Sequence, residues 1–169
     1  MTPTIVICPG AWPCHETFQP LAHVFEVAGV STTISILPSY PPFDPSSPPT
    51  INPDTVHPRT SALQPLLAEG KDIVLWMPSY GGACAPGALE GLSKKERAAK
   101  RLAGGVVAGV FTAAFVAPKG TSAIQAMGSG EGNLPEWDNV DVSISLVNSN
   151  PISFSSNAAQ GVGHNKLRR

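Results

Sequence analysis

Two short runs of the chain are almost continuously apolar, and each is followed directly by a proline. They cover residues 4–8 and 72–77, while a third segment, 31–37, is rich in β-branched residues that roughly alternate with others. Uniformly apolar runs of this length are typical of parallel strands covered on both faces. The pattern therefore predicts three strands, and it predicts that the first and third lie in the interior of a sheet.

Between the first two predicted strands, apolar residues return at helical spacing. This spacing predicts a helix that ends at Gly29, with an apolar stripe made by Phe18, Leu21, Ala22, Phe25 and Ala28. Residues 38–53 contain seven prolines, so neither a helix nor a central strand can persist there. We expect this segment to be an exposed excursion from the core.

A second helix is predicted before the run at 72–77. Asp54 is suited to cap its start and Gly70 to end it, although Pro58 and Pro65 make it irregular. Its predicted inner face consists of Val56, Thr60, Leu63 and Leu67. Strands separated by such helices build βαβ units.

The next segments are a capped helix and a long uncharged run. Ser93 and Glu96 match a capping box, which predicts a short solvent-facing helix through Arg101. Residues 102–118 carry no charge, so a membrane-spanning helix and a buried strand are both possible interpretations. The run is at the short limit for crossing a bilayer and contains three glycines, at 104, 105 and 109. We therefore favour a strand over residues 106–116.

These elements predict an α/β fold with one mainly parallel sheet and helices on both faces. The 169 residues, 42% of them apolar, are enough for one domain with a buried core. A net charge of −1, from 11 basic and 12 acidic residues, gives no basic surface for nucleic acid or an anionic membrane. The expected partner is a small-molecule substrate or ligand.

The cysteines and the N-terminus favour a cytoplasmic location. The chain has three cysteines, Cys8, Cys14 and Cys84, which cannot all pair with one another, so we predict free thiols in a reducing compartment. The apolar stretch at 4–8 has no basic residues before it and is too short for a signal peptide.

Candidate chemistry lies where the run at 72–77 ends, in the sequence Met77-Pro78-Ser79-Tyr80-Gly81-Gly82. A nucleophile elbow is a strained turn that exposes a serine above the sheet, and small residues must follow the serine so that the next helix can approach. Gly81 and Gly82 meet that need. The general pattern is Gly-x-Ser-x-Gly, and Met77 stands here in place of the first glycine.

A second motif follows the first predicted strand, in the sequence Pro9-Gly10-Ala11-Trp12. Together the two motifs resemble the α/β-hydrolase family, in particular its small-substrate branch of plant methylesterases, hydroxynitrile lyases and uncharacterised fungal and bacterial hydrolases. That branch usually has His-Gly-Ala-Trp and Gly-His-Ser-Tyr-Gly-Gly at these places, so Pro9 and Pro78 replace two histidines. The resemblance extends from residue 4 to about 137.

The resemblance implies a serine hydrolase that acts on a small ester or related carbonyl compound and needs no cofactor or metal. It implies that Ser79 is the nucleophile and that the backbone amides of Ala11 and Tyr80 stabilise the oxyanion. The family order of serine, acid and histidine is met formally by Ser79, Asp138 or Asp141, and His164. The substrate class stays open among esters, thioesters, lactones and compounds cleaved at a C–C bond.

The C-terminal half of such a fold is not recognisable in the sequence. Residues 1–137 are interpreted as the N-terminal part of a hydrolase core that lacks the lid and the C-terminal strands, and 138–169 as a divergent, disordered tail. His164 lies in this polar tail. The chain has the features of a truncation or an alternative splice product, and we expect it to be weakly active or inactive.

The same residues are also compatible with other interpretations. Ser79 is also suited to be an ordinary turn serine, and Cys8, Cys14 and His15 lack the spacing and fourth partner of a metal site. His23 and His57 are expected on helix surfaces. No phosphate-binding glycine motif is present. The main alternatives are a non-catalytic, hydrolase-like protein that binds a small ligand or regulates, and a membrane-anchored protein spanning at 102–118.

Overall fold

The computed structural model describes residues 2–11, 15–40, 46, 50–116 and 144–148, the last of these as backbone only. Helices and strands alternate through most of this length. A π-helical turn, Arg59–Leu63, joins α2 to α3, and a 3-10 turn, Ala85–Leu89, follows α4. In chain order the elements are β1 (Thr4–Ile7), α1 (His15–Val27), β2 (Thr32–Ile34), α2 (Ile51–Pro58), α3 (Gln64–Ala68), β3 (Asp72–Pro78), α4 (Gly81–Cys84), α5 (Lys94–Ala99), β4 (Gly105–Thr112) and β5 (Ile144–Asn148).

One five-stranded sheet organises these elements, in the order β2-β1-β3-β4-β5. The first four strands in that order are mutually parallel, and β5 pairs antiparallel with β4. The predicted α/β class with a mainly parallel sheet is therefore confirmed. The four parallel strands correspond to the four runs that the hydrophobic pattern predicted.

The centre of the sheet is β3, whose residues alternate between buried and half-buried. Leu75 and Met77 are fully buried in a core shared with Leu63 of the π-helical turn. Trp76 points to the opposite face, because successive side chains of a strand alternate. There its ring meets that of Phe25 of α1 edge-on, with the ring centroids 5.6 Å apart. Helices thus pack on both faces of β3.

The second predicted helix differs from its expectation in two ways. It begins earlier, with Thr50 at the N-cap, so Asp54 lies inside α2 and is fully buried. Of the predicted inner face, Leu63 and Leu67 are buried, but Val56 is 56% exposed and Thr60 is exposed as well. The predicted irregularity is present as the π-helical turn, which begins directly after Pro58. Pro65 lacks the amide that would continue an α-helical ladder there.

The capped helix and the uncharged run behave as predicted. Ser93 and Glu96 form the reciprocal capping box at the start of α5. Residues 105–112 form β4, so this segment is a strand. Among the described residues, no helix is both long and apolar enough to cross a membrane.

A fifth strand lies within the segment interpreted as the tail. Residues 144–148 form β5, which pairs with β4 from Ala108 to Thr112. Pairing satisfies backbone amides and carbonyls along an edge of β4 that would otherwise be open. The rest of the tail lies outside the described residues.

Candidate functional site

The site predicted around Ser79 lies where the chain leaves β1 and β3 in opposite directions. β1 connects through α1 to β2 on one side, whereas β3 connects through α4 and α5 to β4 on the other side. The two strands are adjacent and parallel, with Ile7 opposite Trp76, so their carboxyl ends meet at one edge. In open α/β sheets, ligands bind in the crevice at such a switch point.

Ser79 follows β3 directly and has a left-handed backbone, with φ of 51°. The residue is exposed to solvent. Its amide donates to the carbonyl of Thr112 (3.2 Å), and its carbonyl accepts from the amides of Gly82 and Phe115 (3.1 Å each). A non-glycine residue in this region is uncommon and persists only where its surroundings hold it. The strained turn predicted for the elbow is therefore present.

Small residues allow the elbow to pack this closely. A Cβ on Gly81 would collide with the carbonyl oxygen of Cys8 and would lie 2.8 Å from that of Pro9. A Cβ on Gly82 would lie 2.7 Å from the Cβ of Ala114 and 2.7 Å from the carbonyl oxygen of Phe115. The elbow is consequently wedged between the chain that follows β1 and the chain that follows β4.

Met77, which departs from the elbow pattern, is accommodated by a glycine on the next strand. Its side chain is fully buried, and its Cε would lie 3.0 Å from a Cβ on Gly109. Because Met77 faces the core rather than the crevice, its side chain does not crowd the turn at Ser79.

The loop after β1 contacts the elbow at Gly10. A Cβ on Gly10 would lie 3.0 Å from the Cβ of Ser79 and 3.5 Å from its Oγ. Pro9 and Gly10 are buried and Ala11 is half-buried. Among the described residues, no hydrogen-bond acceptor pairs with the backbone amide of Ala11 or Tyr80. Their convergence on the Ser79 hydroxyl stays a prediction.

Two thiols lie behind the elbow and are poor competitors for the role of nucleophile. Cys8 and Cys84 are free and fully buried. A hydrogen bond with Cys84, together with burial, raises the pKa of the Cys8 thiol well above its usual value. Both thiols are shielded from a substrate by burial, so the exposed Ser79 is the better candidate. Cys14 lies outside the described residues.

The sequence prediction missed a hydrogen-bonded carboxyl beside the elbow. Asp54 accepts a hydrogen bond from the Tyr80 hydroxyl on Oδ2 and one from the Ser39 amide on Oδ1, both at 2.9 Å. Burial, followed by this bond to Asp54, raises the pKa of Tyr80. No sequence signal identified this role, because Asp54 had the features of a helix cap.

The described residues do not include those predicted as the acid and the base. His164, Asp138 and Asp141 lie outside them. His15 and His23 are exposed on α1, and His57 is half-buried on α2. Within the described part of the chain, no side chain forms a hydrogen bond with the Ser79 hydroxyl, and no cluster of three or more histidine, cysteine or acidic residues is suited to a metal.

A surface groove lies elsewhere, between α1 and β2. Its lining does not include Ser79, Gly10 or Tyr80, so the groove is separate from the candidate site. The groove is lined mainly by polar residues, among them His15, Glu16, Gln19, His23, Glu26 and Thr32.

Comparisons of the chain with protein-family models, curated proteins and solved structures gave no match.

Proposed function

We propose that this chain is a serine hydrolase of the α/β-hydrolase type, with Ser79 as nucleophile and a small ester or related carbonyl compound as substrate. One observation carries the proposal: an exposed serine with left-handed backbone stands at the end of a buried parallel strand, at the switch point of the sheet. Strain of this kind is concentrated at functional sites. An ordinary turn serine has no need of it.

In the proposed acyl transfer each predicted site residue has a separate role. The Ser79 hydroxyl attacks the substrate carbonyl, and the amides of Ala11 and Tyr80 donate to the oxygen that becomes negative. His164 would accept the serine proton, oriented by Asp138 or Asp141. Gly10 leaves the face of Ser79 open to a substrate because it has no side chain there.

The described residues bring no imidazole to the Ser79 hydroxyl, and this bears on the expected rate. Without an anchored imidazole the serine hydroxyl is a poor nucleophile, and what remains is oxyanion stabilisation and binding. Triads from which members are removed retain about three to four decades of acceleration over water. We therefore expect weak turnover or none.

The test is covalent labelling with a fluorophosphonate probe, together with hydrolysis of a short-chain activated ester. The variants are Ser79→Ala and His164→Ala, with Ser93→Ala as a matched serine variant at another helix start. We expect labelling that is lost in Ser79→Ala alone. Robust turnover that is lost in both Ser79→Ala and His164→Ala would place His164 in the site instead.

The alternative function is a non-catalytic hydrolase-like protein that binds a small ligand or regulates. It is favoured by the lack of a described partner for the Ser79 hydroxyl. A folded wild-type chain that neither labels nor hydrolyses the ester would support this alternative.

A further inference from the structure

A single carboxyl joins three segments around the elbow. Asp54 is fully buried in α2, and each of its oxygens has one described donor: the Ser39 amide at Oδ1 and the Tyr80 hydroxyl at Oδ2. Burying a carboxyl group is unfavourable unless it is hydrogen-bonded. The cost of burial is met here by one bond to the turn after β2 and one to the elbow itself.

The helix that carries Asp54 is fixed to the segment that follows the elbow. The Arg59 guanidinium donates to the carbonyls of Ala88 and Glu90, both at 2.8 Å. A Cβ on Gly87 would lie 2.5 Å from the Thr55 side chain, so the two segments are in close contact there. The helix from which Asp54 binds Tyr80 is therefore itself held in place by residues 87–90, which follow α4.

The same contacts argue against a direct chemical role for the Asp54 carboxyl or the Tyr80 phenol. Among the described residues, the donors to the two oxygens of Asp54 are the Ser39 amide and the Tyr80 hydroxyl, so the contacts described for this carboxyl are structural. The Tyr80 hydroxyl donates to Asp54, and its raised pKa makes it a poor proton donor near neutral pH. Among the described contacts, Asp54 reaches Ser79 through Tyr80: its carboxyl binds the Tyr80 phenol, and the backbone of Tyr80 is bonded to that of Ser79.

We propose that Asp54 is a positioning residue, which holds the Tyr80 phenol and thereby fixes the backbone of Ser79 and Tyr80. This backbone in turn positions the Ser79 hydroxyl and the Tyr80 amide. This inference rests on the proposed function for its catalytic meaning. Ser79 occupies a disfavoured backbone region, so it returns to a relaxed conformation when its neighbours release it. The bond from Tyr80 to Asp54 opposes that relaxation.

The test compares Asp54→Ala, Asp54→Asn and Tyr80→Phe by the second-order rate of Ser79 labelling with a fluorophosphonate. Asp54→Ala leaves the phenol and the Ser39 amide without their acceptor, and we expect labelling to slow by about tenfold or more. The amide of Asp54→Asn can accept from Ser39 and donate to the phenol oxygen, so we expect a rate within about threefold of wild type. The labelling rate of Tyr80→Phe should lie between the rates of Asp54→Ala and Asp54→Asn.

A second measurement does not depend on any reaction. The amides of Gly82 and Ala83 donate to the carbonyls of Ser79 and Tyr80, so hydrogen exchange in a peptide covering residues 78–84 reports on the elbow. We expect exchange about tenfold faster there in Asp54→Ala and Tyr80→Phe, and close to wild type in Asp54→Asn. The matched control is Leu67→Ala, a buried truncation in α3 at the opposite end of the sheet.

The outcomes separate the two proposals. Wild type that does not label at Ser79 contradicts the proposed function, and the exchange data then decide alone whether Asp54 fixes the elbow. Wild-type labelling and exchange rates in Tyr80→Phe overturn the positioning role, even if Asp54→Ala fails to fold. The role is also overturned if Leu67→Ala accelerates exchange at 78–84 to the same extent.

Discussion

The two ends of the central strands differ in the type of residue that adopts left-handed backbone. Next to the amino ends of β3 and β4, the residues with positive φ are Gly70, at 75°, and Gly104, at 68°. At the carboxyl ends they are Ser79, at 51°, and Ala113, at 44°. Glycine adopts this region readily, whereas a residue with a Cβ is disfavoured by about 1–2 kcal/mol. Within two residues of β3 and β4, the strained non-glycine positions thus lie at the carboxyl end, where the candidate site is; Arg101, with φ of 59°, is a further strained position four residues before β4.

The means of stabilisation also differ between these ends. At the amino end, the Arg97 guanidinium donates to the carbonyls of Leu67, Ala103 and Gly104, at 2.8–3.1 Å. At the carboxyl end, close backbone packing at Gly81 and Gly82 holds the turn. Side-chain hydrogen bonds thus stabilise the amino end, whereas close backbone packing holds the exposed serine at the carboxyl end. We expect the amino end to contribute to stability alone.

The largest expected effect concerns the close packing at the elbow. Gly81→Ala would place a methyl group against the backbone carbonyls of Cys8 and Pro9, so we expect a loss of about 3 kcal/mol in the free energy of unfolding. Urea denaturation followed by tryptophan fluorescence measures it. Gly29→Ala is the control: its φ is 78° but nothing lies within 4 Å of the added Cβ, and about 1 kcal/mol is expected. Equal costs would refute the packing argument.

The second prediction tests whether the amino end serves stability alone. Arg97→Ala removes the donors to three backbone carbonyls, and we expect a loss of about 2 kcal/mol, again measured by urea denaturation. Labelling of Ser79 should keep its wild-type rate. Lys95→Ala, an exposed neighbour on α5, should change stability by no more than about 0.5 kcal/mol. Slower labelling in Arg97→Ala would mean that the two ends are coupled.

The third prediction removes the strain itself. Ser79→Gly should stabilise the fold by about 1 kcal/mol, because glycine accepts the left-handed backbone, while labelling is lost. Ser79→Ala also loses labelling but keeps the Cβ, so its stability should stay close to wild type. Thermal unfolding in a calorimeter distinguishes them. Arg101→Gly, at an exposed left-handed position with φ of 59°, gives the gain expected without any site. If Ser79→Gly unfolds at a lower temperature than Ser79→Ala, the left-handed backbone at residue 79 does not cost the fold stability.

The smallest effect is the pH dependence of the α5 cap, next to the amino end. Hydrogen bonding to Ser93 lowers the pKa of Glu96, so its contribution is present above the unfolded-state pKa and is lost as pH falls through the folded-state value. Ser93→Ala should cost about 1 kcal/mol near pH 7 and less near pH 3. Denaturation at both pH values checks this.

Glu96→Gln provides the matched control, because it keeps the capping geometry but does not titrate. In that background the cost of Ser93→Ala should be the same at both pH values. A cost that changes equally in both backgrounds would assign the pH dependence to another group.

Local sequence determined the elements whose cause is local. The apolar runs at 4–8 and 72–77 predicted β1 and β3, because a strand buried on both faces needs apolar residues at every position. Ser93 and Glu96 predicted the start of α5, because a capping box closes within four residues. The strained turn at Ser79 could be predicted for the same reason, since the small residues that allow it follow Ser79 directly.

Tertiary structure alone decided the surroundings of that elbow. Asp54 is buried because the chain path brings Tyr80 to it across 26 residues, and Met77 is tolerated because Gly109 of the neighbouring strand leaves room for its side chain. The pairing of β5 with β4 likewise joins segments distant in sequence. Periodicity and capping act over one or two turns of chain, whereas these contacts depend on how the whole sheet is assembled.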